Sequence, residues 1–190
     1  CIRDRPTIMN IEKEGYRPFS LTINNGESLN SPMKIELAKS EPADISLDTQ
    51  VLHLGDDSFS MNSANASDFK LKSAGPYYSK DFIMTQNAKK STNYLIIGSI
   101  LGIDTKLAKS MGQNRIKGGA FSSPVEVYFN GRKIGEIKVN GDGQRVKIPN
   151  SLIKAESPNQ ITIKTGQNMM PSDHIDYDDI EISNLSILSE

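Results

Sequence analysis

The sequence predicts an all-β protein built as an antiparallel β-sandwich, with one or two short helical turns. Short stretches of alternating apolar and polar residues recur along the chain from about residue 20 onward. Gly, Asn, Asp, Ser and Pro separate these stretches at the spacing typical of sandwiches and barrels. Helical periodicity is confined to TKLAKSMGQ (105–113), which Gly112 is expected to end, and SLIKAE (151–156), with Ser151 as its cap.

Length and charge restrict the classes of function. The 190 residues are enough for one sandwich domain. The formal net charge is −1 and Lys and Arg are scattered, so nucleic acid is not an expected partner. Trp is absent and aromatic residues make up 6% of the chain, so few flat rings are available to stack on sugars.

Residues 1–20, CIRDRPTIMNIEKEGYRPFS, show no stable hydrophobic period. Charged residues, Pro6, Gly15 and Pro18 interrupt the apolar ones. A segment of this kind is expected to be a flexible tether. The sequence therefore predicts a tether over residues 1–20 and a β-sandwich domain over residues 21–190.

Cys1 is the only cysteine, so the chain has no intramolecular disulfide. A chain that begins at Cys resembles a mature bacterial lipoprotein, whose signal peptide is cut just before the lipid-bearing cysteine. The resemblance implies lipidation of Cys1 and anchoring to a membrane of the bacterial cell envelope. By the enteric sorting rule, Ile2 implies the outer membrane.

The strands predicted before residue 120 depend on alternation of apolar and polar residues. The most apolar run, YLIIGSILGI (94–103), has about half of the ~20 residues that a membrane-spanning helix needs. It therefore indicates a buried strand. The predicted strands in this part are SLTINN (20–25), KIELA (34–38), TQVLHLG (49–55), DFKLKSA (68–74), DFIMT (81–85) and NYLIIGSIL (93–101).

The segment PVEVYFNGRKIGEIKV (124–139) carries the clearest strand signal. Apolar residues alternate before the dipeptide Asn130-Gly131, which tolerates positive φ at both central positions of a type I′ turn. Gly135, in the return strand, predicts a bulge or bend. The segment is therefore expected to form a β-hairpin.

The last strand is expected to contain a bulge. Ile180 and Ile182 share one face, and Leu185 and Ile187 continue that face with a one-residue offset near Asn184. The strands predicted after the hairpin are QRVKIP (144–149), NQITIKTG (159–166) and DIEISNLSIL (179–188).

The last third of the chain has a recognisable sequence pattern, in the segments VEVYFNGRKIGEIKV, VKIPNSLIKAESPNQITIKTG and DYDDIEISNLSIL. It resembles jelly-roll modules of the galactose-binding-like and carbohydrate-binding-module type, over roughly residues 120–190. The resemblance implies a jelly-roll sandwich that binds a glycan or a protein through loops at one end. The matched residues are Asn130, Gly131, Gly135, Ile148, Pro149, Leu152, Asn159, Ile161, Ile163, Gly166, Asp178, Asp179, Ile180 and Ile182.

Aspartates cluster before the last strand and again in LGDDSF. Calcium binds several oxygens, mostly from carboxylates and backbone carbonyls, so these residues are candidate ligands of a structural calcium ion. The alternative is a solvated turn whose aspartates accept hydrogen bonds from backbone amides. The spacing favours the turn over one shared ion. The candidate metal residues are Asp173, Asp176, Asp178, Asp56 and Asp57.

Four residues are candidates for ligand binding. Tyr77 and Tyr78 are adjacent on a Gly-Pro turn, so one of them must point outward if the other packs inward. An exposed tyrosine would stack on a sugar or anchor a protein, whereas the alternative is that both rings cover the end of the sandwich. Asn130 and Arg132 lie on the tip of the predicted hairpin.

Motifs of catalysis are weak. His53 and His174, without cysteine ligands, do not predict a zinc site. The sequence has no G-x-S-x-G elbow and no Gly-rich phosphate loop between a strand and a helix. Carboxylate pairs such as Asp176 with Asp179 fit a glycosidase spacing, but no second motif supports them.

The sequence therefore predicts a non-enzymatic cell-envelope lipoprotein that acts as a binding module for a glycan or protein. One alternative is a structural accessory lipoprotein of an envelope assembly. A polysaccharide-active enzyme, either a glycoside hydrolase or a lyase, is a less favoured alternative.

Overall fold

The computed structural model describes residues 6–24, 32–59, 62–114 and 119–190. Cys1 and Ile2, on which the lipoprotein prediction depends, lie outside these residues. The described strands are β1 (Thr7–Ile11), β2 (Phe19–Ile23), β3 (Ile45–Asp48), β4 (Leu52–Leu54), β5 (Tyr77–Ile83), β6 (Asn93–Leu101), β7 (Val125–Phe129), β8 (Arg132–Ile137), β9 (Gly141–Ile148), β10 (Pro158–Lys164) and β11 (Ile180–Ser189).

Helical structure within the described ranges is short. The helix α1 (Lys106–Ser110) begins after Thr105, whose hydroxyl accepts a hydrogen bond from the amide of Ala108. Two 3₁₀ turns cover Gln86–Lys90 and Asn150–Leu152. None of the described helices has the length and apolar character needed to span a bilayer.

Two antiparallel sheets form the sandwich, which confirms the predicted fold class. One sheet has the order β5-β10-β7-β8, and the other has the order β3-β11-β6-β9, with β4 also paired to β11. From β4 to β11, every connection except the β7–β8 hairpin crosses from one sheet to the other. This alternation is the jelly-roll pattern.

The core lies between the two sheets, and strand residues that alternate inward supply it. Their side chains are fully shielded from solvent, so burial of apolar area is the main contribution to stability. The residues with 0% exposure include Leu95, Ile97, Val125, Val127, Phe129, Ile148, Ile161, Ile163, Ile180, Ile182 and Ile187.

The predicted hairpin is confirmed. Asn130 and Gly131 have φ angles of 49° and 76°, as a type I′ turn requires. The pairing of β7 with β8 shifts register between Val127 and Tyr128, and Gly135 lies opposite Val127. The predicted bulge or bend at Gly135 is therefore present.

The bulge in β11 is also confirmed. Asn184 has a φ of 53°, and the register of β11 against β3 shifts between Leu185 and Ser186. The left-handed residue turns Leu185 toward the face that Ile182 occupies, so the apolar pattern continues with a one-residue offset.

The N-terminal segment differs from the predicted tether. β1 pairs with β2 as an antiparallel hairpin that lies within residues 7–23. The Asn10 side-chain oxygen accepts a hydrogen bond from the Ser183 hydroxyl at 2.8 Å, and the hydroxyls of Ser20 and Ser99 are hydrogen-bonded at 3.0 Å. Polar contacts of this kind hold the hairpin against the sheet, which explains why its sequence lacks strong apolar alternation.

Three further local predictions are wrong. The segments KIELA (34–38) and DFKLKSA (68–74) contain no strand, although both alternate. Alternation alone does not produce a strand where no sheet edge is available for pairing. Ser151 does not cap a helix, because the 3₁₀ turn begins at Asn150 and Ser151 lies inside it.

Candidate functional site

The acidic end of the sandwich is the end at which β4, β6 and β11 meet, through their registers Ile180↔Leu54 and Glu181↔Leu101. Four carboxylates near this end are buried, although aspartate is rarely buried without a partner. Their exposed fractions are 1% for Asp104, 7% for Asp176, 1% for Asp178 and 1% for Asp179.

His53 and Asp179 form a buried ion pair at this end. The His53 Nε2 atom lies 2.8 Å from Asp179 Oδ1, and His53 Nδ1 lies 2.5 Å from the backbone oxygen of Leu71. Both partners are acceptors, and the protonated ring, which donates from both nitrogens, is the form that satisfies both contacts. Burial lowers the pKa of His53, but the hydrogen bonds to Asp179 and Leu71 outweigh burial and raise that pKa above its usual value.

Asp179 also fastens the loop that follows β4. Its Oδ1 atom accepts the amide of Asp57 at 2.9 Å, and its Oδ2 atom accepts the Asn65 side-chain amide at 2.6 Å. A Cβ atom on Gly55 would lie 2.1 Å from Asp179 Oδ1, so only glycine fits between strand and carboxylate. The loop after β4 therefore depends on Asp179.

One group of three candidate metal ligands occurs in the described part of the chain: His53, Asp57 and Asp179, whose ligand atoms lie within 4.8 Å of one another. A metal-binding histidine needs a free lone pair on one ring nitrogen. In this arrangement both nitrogens of His53 face hydrogen-bond acceptors, Asp179 and the Leu71 oxygen, so neither presents a free lone pair to a metal.

Two of the predicted metal residues accept hydrogen bonds from the backbone of different loops. Asp56 accepts the amides of Ser58 and Tyr177, at 3.0 and 2.8 Å. Asp57 accepts the amide of Ser73.

Asp176 accepts the hydroxyl of Ser63 at 3.1 Å and the side-chain amide of Asn168 at 2.9 Å, whereas Asp173 is exposed. Within the described ranges, no three of the five predicted metal residues bring ligand atoms within 4.8 Å of one another. Calcium binding by that set stays a prediction.

Asp178, the remaining member of the set, is paired with a residue that the sequence did not single out, Asp104. The Oδ2 atom of Asp178 accepts the Asp104 amide at 3.0 Å and the Ser122 hydroxyl at 2.6 Å. The Oδ2 atom of Asp104 accepts the amide of Ala66 at 2.5 Å. The Oδ1 atoms of Asp104 and Asp178 are both buried and have no hydrogen-bond partner.

The pKa values of the two carboxyls reflect this burial. Burial raises the pKa of Asp104 to about 7. Burial, followed by the charge of Asp104, raises the pKa of Asp178 well above its usual value. The position of Asp104, directly after the buried run of β6 and on the end that also carries the DYDD segment, is the sequence signal that could have found it.

A cleft of about 530 Å³ opens beside this end, between β2, the end of β6, the C-terminal turn of α1 and the β8–β9 turn. This volume falls in the usual range of small-ligand sites. Its lining combines one aromatic ring with carboxamides and carboxylates, including Phe69, Asp104, Gln113, Asn114, Asn140 and Asp142.

Carboxamide-to-backbone hydrogen bonds fix the walls of the cleft. The Asn140 side chain accepts the Ile103 amide at 2.7 Å and donates to the Ile103 oxygen at 3.1 Å. Gln113 forms the same double link to the backbone of Asn140, at 3.0 and 2.9 Å. The polar groups are therefore held in place before any ligand arrives.

The ring of Phe69 is seated against backbone. Its centroid lies 5.0 Å from that of His53. A Cβ atom on Gly102 would lie 2.7 Å from Phe69 Cζ, so glycine at that position permits the close approach. A half-buried ring in this place offers an apolar surface to the cleft.

Of the predicted ligand residues, only one tyrosine faces outward. Tyr77 is 49% exposed and packs edge-on against Tyr177 at 6.3 Å. The hydroxyl of Tyr78 is buried without a partner, and burial raises its pKa to about 12. The expectation that one of the adjacent tyrosines points inward therefore agrees with the structure.

The structure does not bring the four predicted ligand residues together. Tyr77 pairs with Lys164 at one end of β10, whereas Asn130 bonds to Gln160 near the other end. These positions are four residue steps apart along β10, or roughly 13 Å. Asn130 donates to the Leu152 oxygen at 2.8 Å and holds a neighbouring turn, while Arg132 is exposed at the tip.

No protein-family model and no curated protein matches the chain. Among solved structures, the chain is similar to a glycosyl hydrolase family 2 (GH2) member from Bacteroides cellulosilyticus DSM 14838. The TM-score is 0.37 and the sequence identity is 10%. The match covers 74% of this chain and 20% of that chain. It is also similar to a beta-D-glucuronidase of Dictyoglomus thermophilum, with a TM-score of 0.38 and 14% identity over 77% of this chain and 29% of that chain. The chain therefore spans less than a third of each of these proteins.

Proposed function

We propose that the protein is a non-enzymatic binding module, and that the cleft beside α1 is its site for a glycan. The observation that carries this proposal is the lining of the cleft, where Phe69 lies among carboxamides and carboxylates. Sugar hydroxyls both donate and accept hydrogen bonds, and carboxamides do the same. The apolar face of a sugar ring packs on an aromatic side chain.

Binding without turnover is supported by the roles of the two carboxylates at the cleft. Asp142 accepts the Thr22 amide and hydroxyl, and it accepts the Ser99 hydroxyl at 2.6 Å. Asp104 is buried and accepts the amide of Ala66. A glycosidase needs one acid and one base that both reach the substrate, and these carboxylates are engaged in holding the fold.

A glycan array followed by calorimetry tests the proposal. We expect the protein to bind at least one saccharide, and Gln113→Ala to weaken that binding roughly 3- to 10-fold because an ordinary hydrogen bond contributes about 1 kcal/mol. Gln160→Ala is the matched control, because Gln160 is an exposed amide that bonds to Asp81 away from the cleft. Absence of saccharide binding, or equal loss in both variants, would contradict the proposal. Polysaccharide turnover would contradict the non-enzymatic part.

A protein partner in an envelope assembly is a second candidate, and one observation favours it. The loop between the bridge partners Gln167 and Tyr177 exposes three large apolar side chains, with exposed fractions of 66% for Met169, 48% for Met170 and 59% for Ile175. Co-purification of an envelope protein, lost on changing Met169 and Ile175 to Ser, is the expected result for this candidate. No change on that double substitution would remove it.

A further inference from the structure

The β1–β2 hairpin forms one wall of the cleft without belonging to the core. The hairpin and the residues beside it contribute Pro6, Thr22 and Asn24 to the lining. No residue of 6–24 is part of the apolar core, and Ser20 is the only buried side chain of that range, with 4% exposure. Burial of apolar area, which stabilises the rest of the sandwich, therefore does little to hold this wall in place.

The sheet surface beneath the hairpin is polar. Ser99 in β6 is 0% exposed, and Ser183 and Asn184 in β11 are 0% and 4% exposed. Ser20 and Asn10 of the hairpin contact these side chains through hydrogen bonds. Water can replace such contacts at small net cost, so opening of the hairpin exposes polar surface and requires less free energy than unfolding of the core.

The docked position of the hairpin is tight and leaves one polar atom without a partner. A Cβ atom on Gly98 would lie 2.4 Å from Ser20 Oγ, so the hairpin packs directly on the backbone of β6. Asn184 Nδ2 lies 3.5 Å from Asn10 Oδ1, whereas Asn184 Oδ1 is buried with no hydrogen-bond partner in the described structure. Water would satisfy that oxygen on opening, which lowers the cost of the open state further.

We propose that the β1–β2 hairpin is a movable wall of the cleft, and that a saccharide binds only while the hairpin is docked. This inference rests on the proposed function of the cleft. A ligand stabilises the state that binds it, so a bound saccharide holds the hairpin docked. Asn10 is then a positioning residue, because it does not line the cleft but fastens β1 to the Ser183 hydroxyl and to the backbone oxygen of Thr49.

Loosening the hairpin at a distance from the cleft tests the proposal. The variant is Asn10→Ala/Arg17→Ala, since Arg17 bonds both oxygens of Asp44 and neither changed residue lines the cleft. We expect β2 amides to exchange faster and saccharide affinity to fall, each roughly 10-fold or more, because only the docked fraction binds. The probe is the saccharide that binds tightest on a glycan array. Asn87→Ala/Arg132→Ala, at two exposed residues away from the hairpin, is the matched control.

A disulfide that locks the hairpin separates positioning from direct contact with the ligand. The Ser20 and Ser99 oxygens lie 3.0 Å apart, so cysteines at these two positions are within reach of a disulfide. The loosened variant is given this pair in a Cys1→Ser background, which leaves no other cysteine. We expect the oxidised form to regain the native affinity and the reduced form to stay weak.

The outcomes separate this inference from the proposed function. If the native protein binds no saccharide, the proposed function fails and the inference falls with it. If the native protein binds, the inference alone is overturned by unchanged affinity in a loosened variant whose β2 amides exchange fast. Native protection of the β2 amides in that variant also overturns it, because the wall is then not movable, as does an oxidised form that stays weak.

Discussion

At the residue scale, the buried imidazolium of His53 is the feature with the clearest consequence. The protonated ring donates one hydrogen bond to Asp179 and one to the backbone oxygen of Leu71. When the ring loses a proton, one of these two acceptors is left without its hydrogen bond. A buried acceptor without a donor costs about 1–3 kcal/mol. The protonation of this single ring therefore stabilises the loop that follows β4.

The raised pKa of His53 predicts the direction of a pH effect. The folded-state pKa lies above the unfolded value of about 6.5, so the stabilisation is fully present below that value. It is lost as the pH rises through the folded-state pKa. In chemical denaturation at several pH values, His53→Gln is expected to be less stable than the native chain at low pH and to flatten this dependence. His174→Gln, at an exposed histidine, is the control, and an unchanged pH profile in His53→Gln would contradict the assignment.

Gly55 carries a second prediction at this scale. Alanine there would place its Cβ 2.1 Å from Asp179 Oδ1, so Gly55→Ala is expected to destabilise the protein by roughly 2–4 kcal/mol. Gly143→Ala is the matched control, since Gly143 also has positive φ but nothing lies within 4 Å of the added atom. The control is expected to lose only about 1 kcal/mol. Equal melting temperatures for the two variants would contradict the close packing of Gly55.

At the element scale, the hairpin β1–β2 is held to the sandwich by few contacts, most of them polar. Asp142 in β9 accepts both the amide and the hydroxyl of Thr22, and the hydroxyls of Ser99 in β6 and Ser20 are hydrogen-bonded. On the β1 side, Asn10 is hydrogen-bonded to Ser183. Asp142 is therefore the only carboxylate among these links.

Removing that carboxylate is expected to release the hairpin while leaving the core intact. In Asp142→Ala, hydrogen exchange of the β2 amides should accelerate by roughly tenfold or more, because local opening becomes easier. The amides of β10 and β11 should keep their protection. Uniform acceleration across all strands would indicate global destabilisation and contradict this account, and Asp81→Ala on the opposite sheet is the matched control.

The elements that the sequence predicts well are those whose local chemistry agrees with their packing. Asn130-Gly131 determines a turn by its backbone preference, and Asn184 marks its bulge through the break in the apolar pattern. β1 was missed because it is held by polar groups distant along the chain, such as the Ser183 hydroxyl and the Thr49 backbone oxygen, which a local pattern does not contain. KIELA (34–38) failed for the converse reason, since it alternates but pairs with no strand.

At the scale of the whole molecule, the cleft was beyond reach of sequence reasoning. Its walls come from the N-terminal hairpin, the end of β6, α1 and the β8–β9 turn, which are distant along the chain. The DYDD aspartates were recognised, and Asp178 and Asp179 accept backbone amides, from Asp104 and Asp57. The preference for a turn over a shared ion stays a prediction. Asp104 was missed because only the fold brings it beside Asp178.

The site as a whole is a wall of hydrogen-bonded carboxamides next to an end of the sandwich at which four carboxyl groups are buried. Preorganised amides lower the entropy cost of binding, since their side chains are already fixed. Ligand recognition at the cleft is the main claim about the function of this protein.

Mapping a bound saccharide by changes in backbone amide NMR shifts tests that claim most directly. We expect the shift changes to concentrate at Phe69, Gln113, Asn114 and the turn over residues 140–142, and the shifts of Tyr77 and Arg132 to stay unchanged. Shift changes centred on Tyr77 and Tyr177, without changes at the cleft residues, would contradict saccharide binding in the cleft.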